Sequence, residues 1–347
     1  MKPNHQHLLV TLASRDYLEN AKQLFSSVYH NAGWHGDYLL LAHNIPESDL
    51  DWFRDKGILI HHCPPLDIKV IHEGYPVTIL AKFFLFTAYF RRWQKIIFLD
   101  TDIIVTASLD SLLKVTGLAA VRDVIDGILL QQINPEADPR LFLDLQRSYN
   151  LQEPAFNSGV LVFDTRIITD DLFPRLIKLH KKYGELNYFW EQGTLNLAFY
   201  NNWEELPIIY NFFPDACRHY GIRPERMKTI VLHFLGHNKP WNADNRFYRI
   251  WQDNLRLAEE IDLSDRRPAA KAWSDQRIII YMFLIELKRR IQLDIWRQWA
   301  IDRLGWIASR PEWCIGQIGK LVKKISPNIY YKLIRLKSCR QIKTKYQ

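Results

Sequence analysis

Short, continuous apolar runs recur along the first two thirds of the chain: Leu8 to Leu12, Tyr38 to Ala42, Ile58 to Ile60, Lys95 to Leu99, Gly159 to Asp164 and Ile230 to Phe234. They do not alternate with polar residues, so each reads as a strand buried on both faces. Helical spacing fills the gaps. Asp16 to Tyr29 places Leu18, Ala21, Leu24, Phe25 and Val28 on one face, with Asp16 as the expected cap. Asp49 to Lys56, Leu80 to Phe90 and Leu172 to Tyr183 follow the same rule. Strands alternating with helices predict an α/β chain with a largely parallel sheet covered on both sides. In such sheets ligands bind beyond the C-terminal ends of the strands.

At one of those ends the run Ile97-Phe98-Leu99 meets Asp100-Thr101-Asp102, followed by Ile103-Ile104-Val105. Carboxylates at i and i+2 in extended backbone point to one side. Like charges side by side repel, so a positive group belongs between them, and a hard divalent cation suits oxygen ligands. The alternative is a solvated turn. Val231 to Trp241 adds His233, whose neutral imidazole can ligate a metal. It also adds Gly236, which permits close backbone approach, and Lys239, a compact charge for a phosphate. Taken alone, His233 reads as a core histidine. Asn157 and Ser158, before the Gly159 run, offer hydrogen bonds suited to sugar hydroxyls. Glu191 and Gln192 place a carboxylate and an amide beside Trp190.

Four segments in this order resemble glycosyltransferase family eight, which includes glycogenins and bacterial lipopolysaccharide galactosyl- and glucosyltransferases. They are FLDTDIIV, FNSGV, WEQGTLN and HFLGHNKPW, and the resemblance spans roughly residues 8–245. It implies a GT-A nucleotide-diphospho-sugar transferase fold, a UDP-sugar donor, Mn2+ or Mg2+, and transfer of a hexose with retention of configuration. Asp100, Asp102 and His233 match the metal ligands; Gly236 and Lys239 match diphosphate contacts, and Thr101 lies within the metal motif. Leu12, Ser14 and Tyr17 lie in a loop resembling the uridine site. Lys82 matches a basic position that reaches donor phosphate. Asn157, Ser158 and Gln192 match residues around the transferred sugar, as does Asp123. Gln192, Glu191 and Asn157 are the expected catalytic group. Two departures stand out: Glu191 replaces the usual Asp, and the uridine loop carries Arg15 in place of the acidic-Asn pattern.

The net charge of +8 is uneven. Residues 266–347 hold 19 basic and 5 acidic side chains, against 27 basic and 33 acidic in the rest. That asymmetry argues for a separate tail function and against a nucleic-acid groove across the molecule. We expect a catalytic domain over residues 1–262 and a basic, aromatic, helical region over 263–347. In that region Ile291, Ile295 and Trp299 form a stripe accompanied by Arg289, Arg290, Arg297 and Arg303. Such a helix suits an anionic membrane surface or packing on the catalytic domain. The first residues lack the apolar stretch of a secretory signal. The expected location is the cytoplasm or the cytoplasmic membrane face, and the expected acceptor a glycan or glycolipid. Four scattered cysteines form no metal-ligand spacing. Two rival readings share some features. A sugar nucleotidyltransferase would carry a glycine-rich loop where Thr11 to Tyr17 has no glycine. A basic-tailed adaptor leaves His233, Gly236 and Lys239 without a use.

Overall fold

The computed structural model describes residues 5–68, 77–123, 127–215 and 229–264, with scattered residues between 268 and 287. The stripe from Ile291 to Trp299 and its arginines lies outside the described residues.

The strands are β1 (His7–Ala13), β2 (Asp37–Ala42), β3 (Leu59–His62), β4 (Lys95–Leu99), β5 (Ile103–Val105), β6 (Leu118–Arg122), β7 (Phe156–Asp164), β8 (Glu204–Glu205) and β9 (Val231–His233). The α-helices are α1 (Leu18–Ser27), α2 (Asp51–Asp55), α3 (Pro139–Ser148), α4 (Leu172–Tyr183), α5 (Glu191–Ala198) and α6 (Tyr248–Leu257). Seven strands form one sheet in the order β3-β2-β1-β4-β7-β6-β8, and β5 pairs with β9 apart from it.

The sheet is mixed. β3, β2, β1 and β4 run parallel, whereas β7 is antiparallel to both β4 and β6. A run buried on both faces looks the same in either direction, so apolar content carries no information about β7's sense. Direction is set by the path the chain takes between strands.

Period-two alternation divides each central strand between two cores. On β4, Ile97 and Leu99 face the core beneath α1, and Ile96 and Phe98 face the other. On β2, Tyr38 and Leu40 join the first and Leu39 and Leu41 the second. α1 fills the first core with Leu18, Ala21, Leu24 and Phe25 and packs against α6. The second face is covered by α4, α5 and the segment Val77–Phe86, which winds as a 3₁₀ helix although its spacing predicted an ordinary helix. α1 begins at Leu18, after a 3₁₀ turn at Arg15–Tyr17, and the Asp16 side chain does not cap it.

The chain past the expected boundary returns to these cores. Described residues between 276 and 287 are helical; Ile278 is buried in the first core and Ile285 in a cluster with Ile104, Phe212 and Leu232. The other side of that segment leaves Ile280, Phe283, Leu284 and Leu287 exposed.

Buried histidines give the fold a pH dependence. Burial pushes His180 from 6.5 down to about 4, and it does the same to His61, with His62 and Arg92 adding to the effect there. His180 stays neutral in the fold while the unfolded chain takes up a proton below 6.5. Stability therefore falls as the pH drops from 6.5 toward 4. His180 alone accounts for at most about 3 kcal/mol across that window. In His180→Gln, urea unfolding at several pH values is expected to show a slope shallower by about one proton. An unchanged slope would refute the assignment.

Candidate active site

The sheet order reverses beside β1: β2 and β3 lie to one side and β4 to the other. Crevices form at such switch points, outside the strand ends. The loop Ser14 to Tyr17 leaves the end of β1, and Asp100 leaves the end of β4. The two ends are tied together by the Thr11 hydroxyl, which donates to the Leu99 carbonyl at 2.7 Å.

β5 then carries the chain away and pairs with β9, with Ile103 opposite His233. The Phe234 amide donates to the Asp102 carbonyl at 3.1 Å, and the Asp100 amide to the Gly159 carbonyl at 2.9 Å. These backbone bonds bring three distant segments to one point. Asp100, Asp102 and His233 each offer a ligand atom, all within 4.8 Å of one another. His233 Nε2 is 3.2 Å from Asp102 Oδ1 and 4.0 Å from Asp100 Oδ2. Thr101 is buried between the aspartates. The closeness depends on Gly159: a Cβ there would stand 2.2 Å from His233 Cε1.

Lys239 Nζ reaches Asp102 Oδ2 at 2.5 Å and the Phe234 carbonyl at 2.7 Å. Its loop turns at Gly236, whose φ of +67° favours glycine. Burial opposes ionisation of Asp102, yet His233 and Lys239 beside it more than offset this and hold its carboxyl below the usual carboxylate range. Tyr17, on the β1 loop, sets its ring edge-on to Trp241 at 6.2 Å, so the expected base loop and the Lys239 loop meet. Leu12 and Ser14 are half-buried on the same side.

The second half of the site surrounds Lys82. Its side chain is fully buried, with Nζ 3.1 Å from Asp100 Oδ1, 3.0 Å from Glu191 Oε1 and 3.3 Å from Ser158 Oγ. The family resemblance implied a donor-phosphate contact; here the ammonium lies wholly among protein groups. Burial alone would favour neutral Lys82, but Asp100 and Glu191 reverse that and raise it above its ordinary value. Burial pushes Glu191 upward, with Lys82 pulling against it.

Glu191 and Gln192 open α5. The preceding Trp190 has a φ of +42°, a strained conformation for a bulky residue that costs about 1–3 kcal/mol. Its buried indole holds it there, and Asn187 Nδ2 donates to its carbonyl at 3.3 Å. The kink turns both side chains inward. Glu191 Oε1 accepts from the Ser158 hydroxyl at 2.9 Å, while its buried Oε2 finds no partner among the described residues. Gln192 Oε1 accepts from the Ser158 amide and from Asn157 Nδ2, and its Nε2 donates to Asp123 at 2.9 Å.

The donor set suits a divalent cation. Two carboxylates supply hard oxygens, and one imidazole biases the site towards a first-row transition ion such as manganese over magnesium. Residues 8–245 match the sequence profile of Glycosyl transferase family 8. The chain belongs to that family. Two streptococcal relatives from Streptococcus pneumoniae serotype 4 agree. The glycosyltransferase GlyB is 30% identical over 276 residues, covering 70% of this chain. GlyF is 25% identical over 264 residues, again 70% of this chain. The chain spans 60% of the length of each. Among solved structures, the galactosyltransferase LgtC, bound to donor and acceptor sugar analogues, superposes with a TM-score of 0.57 at 18% identity. The match covers 73% of this chain and 96% of LgtC. The architecture is therefore the GT-A fold expected of family 8.

The structure gathers Asp100, Asp102, His233, Lys239, Lys82, Asn157, Ser158, Glu191, Gln192 and Asp123 into one connected site. Sequence reasoning missed Asn211, Gln132 and Asn196, buried amides that hold the site from behind. Asn211 had a legible signal: it interrupts the apolar stretch Ile208-Ile209-Tyr210-Asn211-Phe212-Phe213. A polar side chain in such a run needs a buried partner.

Proposed function

We propose that the protein transfers a hexose, glucose or galactose, from a UDP-sugar to a glycan or lipid-linked saccharide, with retention at the anomeric carbon. The observation that carries this reading is the meeting of Asp100, Asp102 and His233 with Lys239 at the switch crevice, next to the Glu191, Gln192 and Ser158 cluster. Family membership and the likeness to LgtC support it.

In this reading Asp100, Asp102 and His233 hold Mn2+, which neutralises charge on the departing diphosphate. Lys239 supplies a second, pre-positioned positive charge for the same oxygens. Tyr17, Leu12 and Ser14 receive the uracil ring. Gln192 is an amide whose Oε1 already accepts from Ser158 and Asn157, so it orients the sugar through Nε2 and does not attack it. Glu191, buried beside Ser158, lends negative charge to an oxocarbenium-like centre. The acceptor hydroxyl bonds to the anomeric carbon as the sugar–phosphate bond breaks, from the same face. Its proton passes to the departing diphosphate oxygen. Screening UDP-glucose, UDP-galactose and other UDP-sugars for Mn2+-dependent UDP release tests the reading. Absence of release from every UDP-sugar would refute it.

We also propose that the basic C-terminal region, within residues 263–347, attaches the catalytic domain peripherally to an anionic membrane face. The exposed Ile280, Phe283, Leu284 and Leu287 recur at i, i+3, i+4 and i+7, the spacing of an apolar helix face, just before Lys288-Arg289-Arg290. No described helix is long and apolar enough to cross a membrane. Full-length protein is expected to pellet with phosphatidylglycerol vesicles, and Phe283→Gln/Leu284→Gln is expected to stay largely in the supernatant. Equal pelleting of both would rule this face out.

A further inference from the structure

We propose that Asn211 is a positioning residue that fixes the tautomer of His233 and so aims the bare Nε2 at the two aspartates. The inference rests on the metal-site reading above and concerns a residue outside it. Asn211 is fully buried, and each of its side-chain groups has one partner: Oδ1 lies 2.8 Å from His233 Nδ1, and Nδ2 donates to Asn157 Oδ1 at 2.9 Å.

Amide and imidazole orientations are ambiguous until a group of known character settles them. Here backbone amides do so, because an N–H can only donate. The Gly159 amide donates to the Asn157 side chain at 3.0 Å, so the atom it meets is Oδ1. Independently, the Ser158 amide donates to Gln192 at 3.0 Å, which makes that atom Oε1 and the Asn157 atom facing it at 3.1 Å the Nδ2 donor. Both amides assign Asn157 the same way. Asn211 must then turn its NH2 to Asn157 Oδ1, which leaves its oxygen facing His233.

An amide oxygen accepts only, so His233 Nδ1 carries the hydrogen. In the neutral ring, Nε2 is left with its lone pair directed at Asp102 Oδ1 and Asp100 Oδ2. A lone pair facing two carboxylates is repulsive until a cation lies among them. A flipped Asn211 would force the hydrogen onto Nε2 and block it. The strand β7 therefore sets the protonation pattern of a ring on β9, through Asn157 and Asn211. The same amides orient Gln192, which links the ligand set to the sugar-facing group. Second-shell partners of this kind commonly set metal affinity.

The test uses calorimetric titration of MnCl2, with UDP and without turnover, into the full chain and two variants. Asn211→Leu keeps the branched shape, at a larger volume, and removes both hydrogen bonds; it is expected to weaken Mn2+ binding about 10–100-fold. Asn211→Asp retains an acceptor for His233 but loses the donor to Asn157. It is expected to recover most of the Mn2+ affinity while raising the donor KM. If Leu binds Mn2+ within about twofold of wild type, or Asp is as weak as Leu, the role is overturned. Wild-type protein that binds no Mn2+ overturns the metal site itself, a result distinct from the first. A second measurement needs no Asn211 variant to fold. Nitrogen-15 histidine spectra of the wild type at about pH 8.5, above the ordinary imidazole range, are expected to show His233 protonated at Nδ1. The signal is identified by its loss in His233→Gln. Protonation at Nε2 would refute the proposal.

Discussion

Asp102→Asn is expected to lower Mn2+-dependent UDP release about 10³-fold while leaving the fold in place. Asp102 is the point where the expected cation and Lys239, at 2.5 Å, converge, with His233 Nε2 3.2 Å away. An asparagine satisfies its protein neighbours. Its oxygen accepts from Lys239, and its NH2 donates to the bare His233 Nε2. That second bond occupies the lone pair needed for a cation, so the substitution removes one ligand and blocks another. Because Asp102 is held below the usual carboxylate range, it stabilises the fold at neutral pH; this contribution fades only as the pH falls through its lowered value. A modest drop in melting temperature therefore accompanies the lost activity. Turnover near that of the wild type with saturating Mn2+ and donor would remove Asp102 from the ligand set.

The largest stability effect is expected at Lys82. Lys82→Met removes the cation between Asp100 and Glu191, and leaves Glu191, 3% exposed, without compensation. Breaking a buried ion pair from one side costs about 3–5 kcal/mol. The Phe98 ring, 4.8 Å from Nζ, loses a cation–π contact as well. Two features distinguish this from a simple packing loss. The destabilisation should shrink as the pH falls, because Glu191, already raised by burial, escapes the penalty by taking up a proton. Adding Glu191→Gln to Lys82→Met should restore part of the lost stability, since the stranded charge is gone. Strict additivity in a urea-denaturation double-mutant cycle would show that the two residues are not coupled.

The expected geometry at the metal site rested on two facts about local chain shape. A strand leads into Asp100-Thr101-Asp102, and residues at i and i+2 of extended chain share a side. The structure keeps both carboxylates together, but on a turn at Thr101 and Asp102 instead of in extended chain, and it adds what spacing along the chain could not supply. His233 arrives because β5 leaves the main sheet to pair with β9, and neither short strand announces its partner. Lys82 was expected at the donor phosphate on the family resemblance alone. Its burial follows from the 3₁₀ path of Val77–Phe86, which brings it under Ser158 and Glu191.

The sequence by itself determined the alternating α/β architecture, the two-faced burial of the central strands, and the neighbouring carboxylates of Asp100 and Asp102 at the end of one of them. Each of these follows from local periodicity or from neighbours a few residues apart. Only the tertiary structure decided the antiparallel sense of β7, the buried Lys82 junction and the amide sequence from Gly159 through Asn157 and Asn211 to His233. Those features depend on contacts between segments about 20 to more than 100 residues apart. Their partners are chosen by packing and hydrogen-bond satisfaction in the folded interior, which no local pattern encodes.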